Sequence, residues 1–272
     1  MTDKGGQNGL DSSMRKLSGL DLFSGIGGIS QALEPWVRTA AYCENFKPSQ
    51  AILLSRMGRG EIDIAPIWDD VCSLGAGHLP RIDIIAGGFP CQDISITGLR
   101  RGLAGKRSGL FFEIARLTEE LRPSYVFLEN VAGIASLGGE EVVSTITQMG
   151  YDCRWGCLTS ADVGYPTKRE RWWLLASSNK ARSERERLER GVYPPEHCSG
   201  VSSNPPDRDL VGPDSPEWKR LLKTRPEIAP AVLGSPDGIQ HWFDRLGALG
   251  NSVNPALARE AFQRLIGIKP AY

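Results

Sequence analysis

Along this chain short apolar runs alternate with longer stretches that carry apolar residues at helical spacing. Residues 1–16 show no such periodicity and are expected to form a mobile tail. From Leu17 the pattern begins: Leu20-Asp21-Leu22-Phe23 predicts a strand, the glycines behind it a tight turn, and the spacing from about Ile29 a helix. Arg38-Thr39-Ala40-Ala41-Tyr42 predicts a second strand. The helix after it carries Pro48 near its first turn, where a missing N–H costs nothing. Ile82-Asp83-Ile84-Ile85-Ala86 and Tyr125-Val126-Phe127-Leu128 read as buried strands on either side of a helix from Gly109 to Leu121. Trp172-Trp173-Leu174-Leu175-Ala176 adds a further strand. Asn254-Pro255 to Ile266 reads as a closing helix, with asparagine at its N-cap and proline at its first position. Strands alternating with helices predict an α/β fold on a doubly wound, mostly parallel sheet.

The pattern fails between about residues 177 and 241. A charge run, Arg182-Ser183-Glu184-Arg185-Glu186-Arg187-Leu188-Glu189-Arg190, is followed there by a Pro-, Ser- and Asp-rich stretch. This segment is expected to be an irregular insertion, with 17–176 and 242–272 forming one domain around it. Net charge does not point to a polyanionic partner, because 32 Lys and Arg balance 32 Asp and Glu. A local excess does exist: from Lys168 to Arg190 there are eight Lys or Arg against four Glu. No apolar run approaches the ~20 residues that span a bilayer, and the first residues lack the features of a secretion signal, so a cytoplasmic protein without a membrane partner is expected. The six cysteines and three histidines show no zinc-ligand spacing, and no metal is expected.

Three places carry candidate chemistry. Phe23-Ser24-Gly25-Ile26-Gly27-Gly28 follows a strand and opens a helix, where glycines let a ligand approach the backbone. Glu44, about 20 residues on, closes the next strand, and a carboxylate there can accept both hydroxyls of a ribose. Turn and carboxylate together indicate an adenosine-bearing cofactor, and leave open a nicotinamide dinucleotide or S-adenosyl-L-methionine. Cys91, in Gly87-Gly88-Phe89-Pro90-Cys91-Gln92, directly follows a strand, at the sheet edge where open α/β proteins bind ligands. A thiolate there is a nucleophile. Glu129, at the end of the neighbouring strand, brings a carboxyl group to the same edge for acid-base work. Arg169 and Arg171 lie on one side of an extended segment before the next strand.

These blocks resemble the DNA (cytosine-5)-methyltransferases of bacteria and phages, in family order from about Leu17 to Ile266. Asp21 to Gly28, Glu44, Asp70-Val71, Gly88-Phe89-Pro90-Cys91-Gln92, Glu129-Asn130-Val131, Lys168-Arg169-Glu170-Arg171 and Leu249-Gly250-Asn251-Ser252-Val253 carry the resemblance. It implies the class I S-adenosylmethionine-dependent methyltransferase fold, Rossmann-like, with residues 177–241 as a small target-recognition region. It also implies the roles. Cys91 attacks C6 of a cytosine flipped out of duplex DNA, Glu129 holds N3, Arg169 contacts the base O2 and Arg171 supports that geometry. For S-adenosyl-L-methionine it implies Phe23 against the adenine, Ser24 to Gly28 as the cradle, and Glu44 with Asn45 at the ribose. Asp70 and Val71 would lie by the adenine, with Pro90, Leu110, Asn251 and Ser252 completing the site. Residues 95–107 would form a loop that closes over DNA. The expected partners are double-stranded DNA and a cognate restriction endonuclease, and the chain is expected to act as a monomer. One position departs from the family: Thr167 stands where a glutamine is usual.

Rival readings are weaker. Asn204-Pro205-Pro206-Asp207 lacks the aromatic that an amino-methyltransferase motif needs for stacking on a flipped base. The Cys-Phe-Thr tripeptide typical of tRNA cytosine-5 methyltransferases on this fold is absent. A DNA-binding homologue with little activity would be expected to have lost Cys91 or Glu129, and both are present.

Overall fold

The computed structural model describes residues 16–90, 109–165, 169–178 and 252–267. The expected tail, apart from Lys16, lies outside the described residues. So do Cys91 and the 95–107 loop, Thr167, Lys168 and Asn251, and the expected insertion apart from Ser177 and Ser178.

In chain order the elements are β1 (Leu17–Leu22), α1 (Gly28–Leu33), β2 (Val37–Cys43), α2 (Lys47–Gly58), β3 (Ile67–Trp68), β4 (Ile84–Gly88) and α3 (Leu110–Leu121). They continue with β5 (Tyr125–Val131), α4 (Ile134–Leu137), α5 (Gly139–Gln148), β6 (Tyr151–Thr159), β7 (Glu170–Ser178) and α6 (Pro255–Ile266). One seven-stranded sheet runs in the order β3-β2-β1-β4-β5-β7-β6. Its five strands from β3 to β5 are parallel neighbours, while β7 runs antiparallel to both β5 and β6. β7 is therefore reversed within an otherwise parallel sheet, a feature that alternation of strands and helices does not reveal. Nor did the apolar pattern mark β6. It is an edge strand whose Asp152, Arg154, Trp155 and Cys157 are exposed, so no buried run announces it.

Both faces of the sheet are covered, as its continuous apolar strands require. On one face Leu20, Leu22, Val126, Leu128, Trp172 and Leu174 pack against Phe111, Ile114 and Leu117 of α3 and Val142 and Ile146 of α5. On the other, Ile84, Phe127, Trp173 and Leu175 pack against Ile29 and Leu33 of α1 and Leu257, Ala261 and Phe262 of α6. α6 begins as its sequence predicts, with the Asn254 carboxamide oxygen accepting from the N–H groups of Ala256 (2.9 Å) and Leu257 (3.4 Å). Phe262 lies 5.3 Å from the Trp36 ring and edge-on to Phe127 at 5.4 Å. The segment before α6 approaches α1 so closely that a Cβ on Gly28 would sit 2.5 Å from the Val253 carbonyl oxygen. Val253 is thereby brought against the last glycine of the turn. Among the described residues no helix is long and apolar enough to cross a membrane.

Beneath that turn lies a buried polar network. The Ser30 hydroxyl donates to Asp21 Oδ2 at 2.5 Å, and the Thr39 hydroxyl to Ser30 at 3.1 Å. Asp21 Oδ1 is buried with no hydrogen-bond partner among the described residues. Burial pushes the Asp21 carboxyl up to about 7, against the lowering effect of the Ser30 hydrogen bonds. A carboxyl whose pKa is raised by folding stabilises the fold below its unfolded value, and that contribution is lost as pH climbs through the folded value. Wild-type stability should therefore decline between pH 3.8 and about 7 from this group, whereas Asp21→Asn should lack that part of the slope. Urea denaturation of both proteins across the interval checks this; an equal slope in the variant would remove Asp21 as its source.

Candidate active site

Cross-strand register brings the carboxyl ends of the parallel strands together. Leu22 lies beside Cys43 and Gly87, Cys43 beside Trp68, and Gly88 beside Glu129. The residues that follow each strand therefore form one edge.

At the first of these ends the strand stops at Leu22, one residue earlier than the apolar run predicts, because Phe23 turns into the left-handed region with φ 53°. Such a backbone costs a non-glycine residue roughly 1–2 kcal/mol and persists only where its surroundings hold it. Gly25 and Gly27 continue the turn with φ 53° and 82°. Ser24 ties it to the sheet: its hydroxyl donates to the Asp21 carbonyl (2.7 Å), and its N–H to the Cys43 carbonyl (3.1 Å). Glu44 holds it from the side, accepting the Gly25 N–H on Oε2 (2.7 Å) and the Phe46 N–H on Oε1 (2.8 Å). Its own N–H donates to the Trp68 carbonyl at 2.9 Å, and its carbonyl accepts from the Gln50 carboxamide.

Asp70 follows β3. Its Oδ1 accepts the Cys72 N–H at 2.9 Å, and its carbonyl accepts the Ser73 N–H at 3.1 Å and hydroxyl at 2.9 Å. Val71 is buried beneath it while Asp70 itself is exposed. Arg116 of α3 fixes this turn from below by donating to the carbonyls of Val71 (3.0 Å) and Leu74 (2.8 Å). Asn45 is exposed next to Glu44, and Phe23, Ile26, Leu110 and Ser252 are half-buried.

The arrangement suits an adenosine-bearing ligand. Each Glu44 oxygen has lone pairs beyond the N–H it already accepts, which hydroxyl groups can use. Among the described residues a Cβ built on Gly25 meets nothing within 4 Å, so none of them closes the turn on that side.

At the other end of the edge stands Glu129, buried and paired with Arg171: Nε lies 2.8 Å from Oε1. This contact exists because β7 is reversed. Its amino end, not its carboxyl end, lies against the end of β5, with Arg171 opposite Val131 and Trp173 opposite Glu129. Desolvation raises the Glu129 pKa, against the lowering pull of Arg171 and then of Arg169. Burial lowers the Arg169 pKa, helped by the Arg171 charge. Gly88 gives the carboxyl group its room, since a Cβ there would come within 2.8 Å of Glu129 Oε2. The group thus sits beside β4, whose last residues lead to Phe89 and Pro90, the residue before Cys91. The Asn130 carboxamide donates to the Phe89 carbonyl at 2.9 Å and pins that loop.

Asn130 carries part of the family resemblance in the same string as Glu129, but its role as the clamp on Phe89 was not legible there. Gln50 and Arg116 gave no signal, since each is a helix residue that donates to the backbone carbonyl of a loop, six residues back for Gln50 and 45 for Arg116 to Val71. The four described cysteines, Cys43, Cys72, Cys153 and Cys157, are free thiols. Burial raises the pKa of each, away from the thiolate form.

A family model described as C-5 cytosine-specific DNA methylase matches residues 17–220. The chain is 35% identical over 159 residues to the type II methyltransferase M.CviJI of Paramecium bursaria Chlorella virus IL3A, covering 58% of this chain and 42% of that protein. It is 34% identical over 174 residues to the type II methyltransferase M.HhaI of Haemophilus parahaemolyticus, covering 62% and 51% respectively. The chain spans about half the length of these curated relatives. Among solved structures, an E. coli prophage-encoded protein described as a DNA modification methyltransferase superposes with TM-score 0.51 at 25% identity, covering 61% of this chain and 48% of that one. The Dnmt2 methyltransferase of S. pombe shares the fold, with TM-score 0.50 at 24% identity over 60% of this chain and 51% of that one.

Arg171→Met should leave Glu129 buried without its main counter-charge, costing about 3 kcal/mol of stability at neutral pH. Because the Glu129 pKa is raised on folding, that loss should shrink as the pH falls and the carboxyl group protonates. The double variant Glu129→Gln/Arg171→Met should accordingly be more stable than Arg171→Met alone. Denaturation curves of the four proteins form the cycle, and additive losses would mean that the two side chains do not couple.

Proposed function

The chain belongs to the C-5 cytosine-specific DNA methylase family, whose members use S-adenosyl-L-methionine, and on that footing we propose that it methylates cytosine at C5 within a specific double-stranded DNA sequence. The observation that carries the proposal is the corner built by Glu129, Arg171 and Arg169 beside the strand that leads to Pro90 and Cys91. A buried carboxyl group whose pKa is raised, next to fixed cations, suits a group that must hold a proton against a heterocycle.

Cytosine C5 is a poor nucleophile while the ring is aromatic. The Cys91 thiolate adds to C6, forming a C6–S bond and placing electron density on C5. Glu129 holds a proton at N3 and so neutralises the ring, and Arg169 contacts O2 while Arg171 keeps Glu129 in place. When C5 has gained its methyl group, the C5 proton passes to water, its electron pair re-forms the C5–C6 double bond as the C6–S bond breaks, and the N3 proton returns to Glu129, which restores aromaticity and frees the Cys91 thiolate. None of these groups can reach a base stacked in a duplex, so the cytosine is flipped out. Phe23 to Gly28, Glu44, Asn45, Asp70, Val71, Pro90, Leu110, Asn251 and Ser252 hold S-adenosyl-L-methionine, which supplies an electrophilic methyl group when bound. Residues 177–241 read the target sequence. The type II designation of the curated relatives supports a place beside a cognate restriction endonuclease.

Bisulfite sequencing of DNA from a methylation-free host expressing this chain should reveal methylated cytosines in one short sequence context; unmethylated DNA from a host making folded protein would reject the proposal. Cys91→Ala should abolish methylation and leave S-adenosyl-L-methionine binding nearly unchanged. Glu129→Gln should slow methyl transfer roughly 10²- to 10⁴-fold while DNA affinity changes far less. Single-turnover kinetics and filter binding on the two variants check these outcomes.

A further inference from the structure

Arg56 lies in the last turn of α2, and its side chain is only 10% exposed. A guanidinium so buried needs its donors satisfied, and three separate segments do so. Nη1 donates to the Ile26 carbonyl at 2.5 Å, Nη2 to the Gln31 side-chain oxygen at 2.8 Å, and Nε to Glu61 Oε2 at 2.9 Å. The Glu61 N–H in turn donates to the Arg56 carbonyl at 3.0 Å, and Arg59 takes the other Glu61 oxygen at 2.5 Å. The two arginines hold the Glu61 carboxyl down at about 2, so the counter-charge persists at any working pH.

What Arg56 grips is the middle of the glycine-rich turn. Ile26 stands between Gly25, whose N–H goes to Glu44, and Gly27, whose N–H goes to the Ser24 carbonyl at 2.8 Å. Gly27 rests on Leu53 and Ile62, which form a small core with Tyr42 and Met57. The turn is therefore held from one side by Glu44 and from below by Arg56. We propose that Arg56, braced by Glu61, is a positioning residue for the cofactor site: it fixes the Ile26 carbonyl, and with it the path of Phe23 to Gly28 on which S-adenosyl-L-methionine lies. This rests on the assignment of that turn to S-adenosyl-L-methionine made above. Arg56 touches no reacting atom, so its effect falls on cofactor affinity and not on the chemical step.

Arg56→Met keeps most of the apolar stem and removes every donor, while Glu61 retains Arg59. Calorimetry with S-adenosyl-L-methionine and with S-adenosyl-L-homocysteine, without DNA, should show Kd raised about tenfold for both. On unmethylated genomic DNA the cofactor KM should rise likewise, with kcat within about twofold of wild type. Arg56→Lys, which restores one donor, should recover part of the affinity, and amide hydrogen exchange at residues 24–28 should quicken in Arg56→Met. Unchanged affinity with unchanged exchange overturns the proposal, as does a loss confined to kcat. If Arg56→Met fails to fold, Arg56→Lys and Glu61→Gln carry the same measurements and the same criteria. If the wild-type protein binds neither compound, the cofactor assignment fails instead; exchange at residues 24–28 then still decides whether Arg56 orders the turn.

Discussion

A carboxyl group and a guanidinium, buried against each other where β5 ends, set the constraint on which the rest of this edge depends. A parallel sheet delivers the carboxyl ends of its strands to one side, so a cation borne at the start of a parallel strand would lie at the far edge. Reversing β7 between β5 and β6 removes the difficulty, because it brings the amino end of a strand to the edge where the others finish. Arg171 then meets Glu129 diagonally across adjacent strands on one face. Desolvation outweighs the attraction, and the carboxyl pKa remains raised despite an ion pair at 2.8 Å. The result is a group held in place by charge and still inclined to carry a proton.

The loops at this edge lack ladder partners, so their carbonyl groups need donors from elsewhere. Side chains supply them: Asn130 for Phe89, Gln50 for Glu44 and Arg116 for Val71 and Leu74. Each donor stands on a strand or helix, and the acceptors Phe89, Glu44 and Val71 lie in loops at or next to residues assigned to chemistry or ligand, with Leu74 closing the turn after Val71. Rigid elements thereby impose their geometry on irregular backbone. This is how a loop can carry a site without being ordered by its own contacts.

The parts legible in the sequence were those with strong local signals. Buried strands such as β4 and β5 show as apolar runs, α6 announces itself by Asn254 and Pro255, and the edge residues Phe23, Glu44 and Glu129 stand at or just beyond the ends of predicted strands. Direction was not legible, since a run such as Trp172 to Ala176 reads the same in a parallel or an antiparallel strand. β6 was hidden because an edge strand with one exposed flank need not be apolar. The clamps were hidden for another reason: Asn130 to Phe89 spans 41 residues and Arg116 to Val71 spans 45, and no periodicity encodes such pairs.

The glycine-rich turn shows where pattern and geometry part most sharply. From the sequence, glycines followed by a carboxylate fit a dinucleotide as well as a sulfonium compound. In the structure the Gly25 N–H, which a phosphate would need, is already given to Glu44, and the helix behind the turn has only six residues. A carboxylate seated at the mouth of the turn opposes a phosphate and favours hydroxyl groups or positive charge. The glycines serve the close packing of the turn on its neighbours, with Gly28 against Val253 and Gly27 against Leu53 and Ile62. What such a turn binds is therefore decided less by its glycines than by the side chain that claims its amide, and here that side chain is an acid.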